Sequence, residues 1–107
     1  MARLALVAIA TLTVLAACSR NEEGRKFITA RCLASGETEE VCNCLARESD
    51  AKLDQPLFEL VVLGARGEQE EAELALQELD STMKAKFAAL VPQISKGCGV
   101  SDAPGGS

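Results

Sequence analysis

The chain of 107 residues is 48% apolar and carries 11 Lys or Arg against 16 Asp or Glu, five cysteines and no His, Trp or Tyr. This length supports one small domain. Without histidine there is no Ser-His-Asp or Cys-His nucleophile pair and no imidazole metal ligand, and a net charge of −5 argues against a nucleic-acid binder, which needs a basic stripe to neutralise phosphates.

The first predicted element is a leader. Of the 15 residues from Leu4 to Cys18, 13 are apolar, the exceptions being Thr11 and Thr13, and Arg3 gives the run a positive start. The run is shorter than the roughly 18 to 20 residues of a spanning helix and stops at Ser19-Arg20-Asn21-Glu22-Glu23, so residues 1–17 read as an export signal rather than a membrane span. Its end, Leu15-Ala16-Ala17-Cys18, resembles the lipobox of bacterial lipoproteins. The resemblance implies cleavage between Ala17 and Cys18, a diacylglycerol on the Cys18 thiol and acylation of the new amino group. An ordinary signal peptide fits less well, because cutting after Ala17 puts Leu15 at the −3 position, where small residues are preferred. Stable attachment takes two acyl chains or equivalent signals, at about 0.8 kcal/mol per buried methylene, and a diacylated cysteine meets that condition. Ser19 after the cysteine, in place of Asp, further implies the outer membrane, facing the periplasm, where the host is Gram-negative.

Removing residues 1–17 leaves 90 residues with 10 Lys or Arg against 16 acids, a net charge of −6, so lipid rather than surface charge must hold the protein at an anionic membrane. Only 21 of those 90 residues are Val, Ile, Leu, Met or Phe, and small exported domains with so little core material are usually reinforced by disulfides. The expected organisation is a lipid-anchored linker at 18–24, a helical domain at 25–98 and a flexible tail at 99–107.

Within the domain the pattern predicts an all-α fold, a small disulfide-stapled bundle of about four helices that opens with a helical hairpin. Phe27, Ile28, Cys32 and Leu33 form the apolar face of a first helix from Glu22 to Ala34, closed by Gly36 in the left-handed conformation. Thr38 caps a second, with Glu39 and Glu40 at its positive end and Val41, Cys42, Leu45 and Ala46 along it, ending near Leu53. Asp54 caps a third with Pro56 in its first turn, and an all-round apolar run from Leu57 to Leu63 marks that helix as central, closed by Gly64 and Gly67. Ala72, Leu76, Leu79, Met83, Phe87 and Leu90 keep one stripe in phase, so Glu68 to Leu90 reads as one last helix, with Asp80-Ser81-Thr82 its weak point. Pro92 should kink or end it, leaving Ile94 and Cys98 in a short final turn.

With Cys18 committed to lipid, four cysteines remain for bridges: Cys32, Cys42, Cys44 and Cys98. Two positions apart on a helix, Cys42 and Cys44 project about 200° apart and do not bridge each other. Two pairings survive, Cys32–Cys42 with Cys44–Cys98, or Cys32–Cys44 with Cys42–Cys98. The first is preferred, because Cys32 and Cys42 are near mirror positions about residue 37 in the predicted turn. This hairpin is similar to the Cys-x9-Cys unit of coiled-coil-helix proteins, which carry two such pairs, and no function transfers from it. The wider pattern resembles small exported helical bacterial proteins that share disulfide staples, again without an implied function.

A zinc site is disfavoured, since structural zinc prefers short C-x(2–4)-C pairs, and a redox role for Cys42-x-Cys44 is disfavoured by the neighbouring Glu39 and Glu40. Glu68, Glu70, Glu71, Glu73, Glu78 and Asp80 lack calcium-loop spacing and read as a solvated face. Neither metal, cofactor nor catalytic residue is expected. The leading expectation is a non-catalytic lipoprotein, held in the membrane by lipid on Cys18, whose helical domain binds another cell-envelope protein. The alternative is a carrier for a small apolar ligand enclosed by Leu60, Val61 and Phe87.

Overall fold

The computed structural model describes residues 21–101; the leader at 1–17, the lipid site Cys18 and the end of the tail at 102–107 lie outside the described residues. Among the described residues the chain is helical without strands. The helices are α1 (residues 21–34), α2 (Glu39–Lys52), α3 (Gln55–Ala65), α4 (Gln69–Glu78) and α5 (Ser81–Cys98).

The hairpin forms from local chemistry. Gly36 takes φ +100° after α1, a conformation that side chains disfavour, and Thr38 then accepts a hydrogen bond from the Val41 amide at 3.2 Å to start α2. Leu53 is extended, and α3 begins at once with Pro56 in its first turn. Asp54 stands at the N-cap of α3, but its carboxylate does not cap; it accepts from Lys86 Nζ of α5 at 2.9 Å. Gly64 remains inside α3, and the left-handed turn after the helix belongs to Gly67 alone, at φ +83°.

The helix expected from Glu68 to Leu90 is two helices, so the count among the described residues is five. Leu79 is extended, and Asp80 accepts from the Met83 amide at 2.8 Å, capping α5 where an unbroken helix would need the aspartate's own backbone to stay helical. A short acceptor side chain offers the backbone this alternative, and here it prevails over the continuous apolar stripe. Pro92 does not end α5. The helix runs through it to Cys98, and it closes in a Schellman arrangement around Gly99 at φ +81°, with the Val100 amide donating to the Ser95 carbonyl at 3.0 Å. Ile94 and Cys98 therefore belong to the last turns of α5 rather than to a separate turn.

The core gathers Ile28, Ala46, Leu53, Leu57, Phe58 and Ile94 from four helices, with Leu57 fully buried. Helix α2 packs on α5 and touches α3, and α4 lies on α3. The α1 contact with α3 depends on Gly24, where an added Cβ would stand 2.9 Å from the Phe58 ring. That glycine is buried and helical, so the folded unit begins by residue 21, inside the linker expected at 18–24. The tail expected from 99 starts ordered, because Ser101 donates from its amide at 3.2 Å and its hydroxyl at 2.6 Å to Glu37. The long stripe is only partly used: Leu79, Met83, Phe87 and Leu90 pack half-buried on the core, while α4 contributes no buried residue and leaves Leu74 61% exposed.

Candidate binding groove

The cysteines set the frame of the site. Cys32 is bonded to Cys42, with Cα atoms 5.5 Å apart, and Cys44 to Cys98, at 5.6 Å. The first bridge closes the α1–α2 hairpin. The second ties α2 to the end of α5, so both bridges converge on the first two turns of α2. Among the described residues no group of His, Cys, Asp or Glu converges as a metal site. The acidic run is exposed apart from Glu68, half-buried beside Arg66 with Nε and Oε2 2.9 Å apart.

Around this frame four helices leave a groove of about 310 Å³. Ile28, Arg31 and Cys32 of α1, with Ser35 in the turn that follows it, stand at i, i+3, i+4 and i+7. Leu45 and Ser49 come from α2, Val61, Gly64 and Ala65 from α3, and Val91, Ile94 and Ser95 from α5. The buried lining of the groove is mostly apolar, Ile28, Cys32 and Ile94, with the hydroxyl residue Ser49 among them. Gly64 leaves the groove open, since a Cβ there would meet no atom within 4 Å, whereas the four positions before it, Leu60 to Leu63, carry Leu or Val.

Arg31 is the one charged residue in the described lining, and it forms no ion pair with another described residue. Ser35 donates its hydroxyl to the Cys32 carbonyl at 2.6 Å and so is already engaged. A second cleft, of about 380 Å³ between α1 and α3, differs in this respect. Several of its polar groups are engaged: the Gln55 amide donates to Asn21 at 3.0 Å, Asn21 donates to Asp50 at 2.8 Å, and Arg66 stacks 5.3 Å above the Phe27 ring.

Leu60, Val61 and Phe87, expected to enclose an apolar ligand, do not all line the groove. Val61 lines the groove, but Leu60 is buried in the interior and Phe87 packs half-buried on the core. Helical phase is the reason, since neighbours in sequence point to different sides of α3. Sequence reasoning missed Arg31, Gly64, Val91 and Ser95. A signal was present in Gly64, an unfavourable residue inside an apolar helical run, and in Arg31, a charge on the same helical face as Ile28 and Cys32.

The groove also has a position along the bundle. Asn21, Asp50 and Gln55 meet at one end, bonded to each other, while Glu37 and Ser101 meet at the other. Its α1 residues lie 7 to 14 positions after Asn21, on the order of 10 to 20 Å up the helix, so along α1 the groove lies toward the Glu37 end, while along α2 it reaches Ser49, next to Asp50. No protein-family model matches this chain, and no curated protein and no solved structure matches it either.

Proposed function

We propose that this protein is a non-catalytic lipoprotein, anchored in the membrane through Cys18, which binds another cell-envelope protein by taking an aliphatic segment of it into the groove between α1, α2, α3 and α5. The observation that carries this reading is a largely apolar groove, open to solvent and walled by four helices, three of which two disulfides tie together. Cys18 precedes Asn21 by three residues, which reach at most about 11 Å when extended. Lipid on Cys18 therefore keeps the Asn21 end near the bilayer and turns the Glu37 end, with the α1 side of the groove, toward the aqueous compartment. A segment of a neighbouring protein meets the groove there more readily than a bilayer lipid does.

In-cell photo-crosslinking tests the reading. A photoreactive residue at Val91 should give an adduct with one envelope protein, the same residue at exposed Lys84 should not, and Gly64→Leu should abolish the Val91 adduct by filling the groove. Indistinguishable patterns from Val91 and Lys84 would remove the groove from the interaction. The volume of about 310 Å³ also favours a second reading, a small apolar ligand, since it falls at the lower end of the ~300–1,000 Å³ usual for such sites.

A further inference from the structure

We infer that the partner segment seated in the groove carries a carboxylate beside its aliphatic side chains, and that Arg31 binds it. This rests on the reading of the groove as a docking site for a protein and names the chemistry of what docks. The placement of Arg31 is the first argument. It is exposed at the rim of the groove, one helical turn after the buried Ile28 and next to the buried Cys32, so its charge stands beside the apolar lining. Its charge is the second. Elsewhere among the described residues Arg25 is paired with Asp50 at 2.7 Å, Lys52 with Glu48 at 2.9 Å, Arg66 with Glu68 at 2.9 Å and Lys86 with Asp54 at 2.9 Å. Arg31 forms no ion pair with another described residue, as Lys26, Lys84 and Lys96 do not, and of these four it is the one that lines the groove.

A guanidinium beside an apolar lining binds a carboxylate through two parallel hydrogen bonds whose fork geometry an ammonium cannot reproduce. A basic segment, which the net charge would otherwise attract, meets like charge at the groove itself. The occupant that satisfies both the apolar lining and the rim is an aliphatic stretch with an adjoining Asp, Glu or chain terminus.

The test is charge reversal in cells, read by the Val91 crosslink. Arg31→Glu should lower the adduct roughly tenfold, the change expected when a charge-assisted bond is lost, and Arg31→Lys should lower it less. Mapping the adduct should find an acidic residue or a C-terminus beside the crosslinked aliphatic residue, and reversing that acid to Lys should restore the adduct with Arg31→Glu. Arg31 is exposed, so each variant should keep the wild-type melting curve, which separates lost binding from lost fold. An adduct that persists unchanged in Arg31→Glu overturns the inference while leaving the docking reading intact. The absence of any protein adduct from the wild-type chain overturns the docking reading itself, and adducts to free fatty acid alone overturn the assignment to a protein.

Discussion

Two helical glycines act in opposite ways, and their difference follows from what surrounds each one. Gly24 lets α1 approach α3 until a Cβ would strike the Phe58 ring at 2.9 Å and Val62 at 3.0 Å, so Gly24→Ala should destabilise the fold despite its better helix propensity. Overpacking of this kind costs about 1–3 kcal/mol, visible as a lower midpoint in urea unfolding. Gly64 has open space where its side chain would be, and Gly64→Ala should raise stability by up to about 1 kcal/mol, seen as a higher midpoint in the same experiment. A residue that costs stability and faces a groove is better explained by the groove than by the fold. Among the carboxylates, Glu48 has its pKa lowered, first by a hydrogen bond from Lys52 and then by that residue's charge, against a small opposing effect of burial. A lowered pKa means that the pair's stabilisation is complete above the ordinary carboxylate range and is lost as pH falls through the lowered value. Glu48 is a surface residue, so Glu48→Gln should change the acid limb of the unfolding profile only slightly.

At the scale of elements, the break between α4 and α5 shows how a local cap can override a long-range pattern. The Asp80 carboxylate holds the Met83 amide at 2.8 Å, and Asp80→Ala should cost about 1 kcal/mol in thermal or urea unfolding. If instead α4 and α5 fused into one helix in that variant, helicity by circular dichroism would rise without a loss of stability. Most of the hairpin is legible in the sequence, because Gly36, Thr38 and the acidic first turn of α2 act within a few residues of one another. The stripe from Ala72 to Leu90 is legible as apolar but not as broken, since periodicity records which face is apolar and is silent on whether the backbone turns at Asp80. Pro92 misleads for a related reason. A proline removes one amide donor, yet α5 remains continuous with its proline exposed and its neighbours Val91 and Ile94 turned inward. The groove is the least legible feature, because its walls come from four separate helices and depend on how they pack. Only Arg31 and Gly64 announce it, the one as a charge beside an apolar face and the other as a glycine inside an apolar run.

For the molecule as a whole, the bridges dominate because the core is small. The loop closed by Cys44 and Cys98 spans 54 positions and the one closed by Cys32 and Cys42 spans 10, which the chain-entropy model values at about 4 and about 3 kcal/mol. Stabilities of small domains are of that order, so reductant should abolish cooperative thermal unfolding, and Cys98→Ser paired with Cys44→Ser should lower stability more than loss of the hairpin bridge. Five cysteines thus divide into one proposed for lipid and four that hold helices in place. Membrane attachment should depend on the first alone: Cys18→Ser should leave the membrane fraction while keeping the groove and both bridges. The most direct test of a lipid-anchored, doubly bridged domain is one intact-mass spectrum of the protein extracted from membranes and alkylated without reductant. The expected species begins at Cys18, carries the mass of its acyl groups and takes up no alkylating reagent. A chain without lipid mass, or one that takes up reagent at two or four thiols, would contradict it.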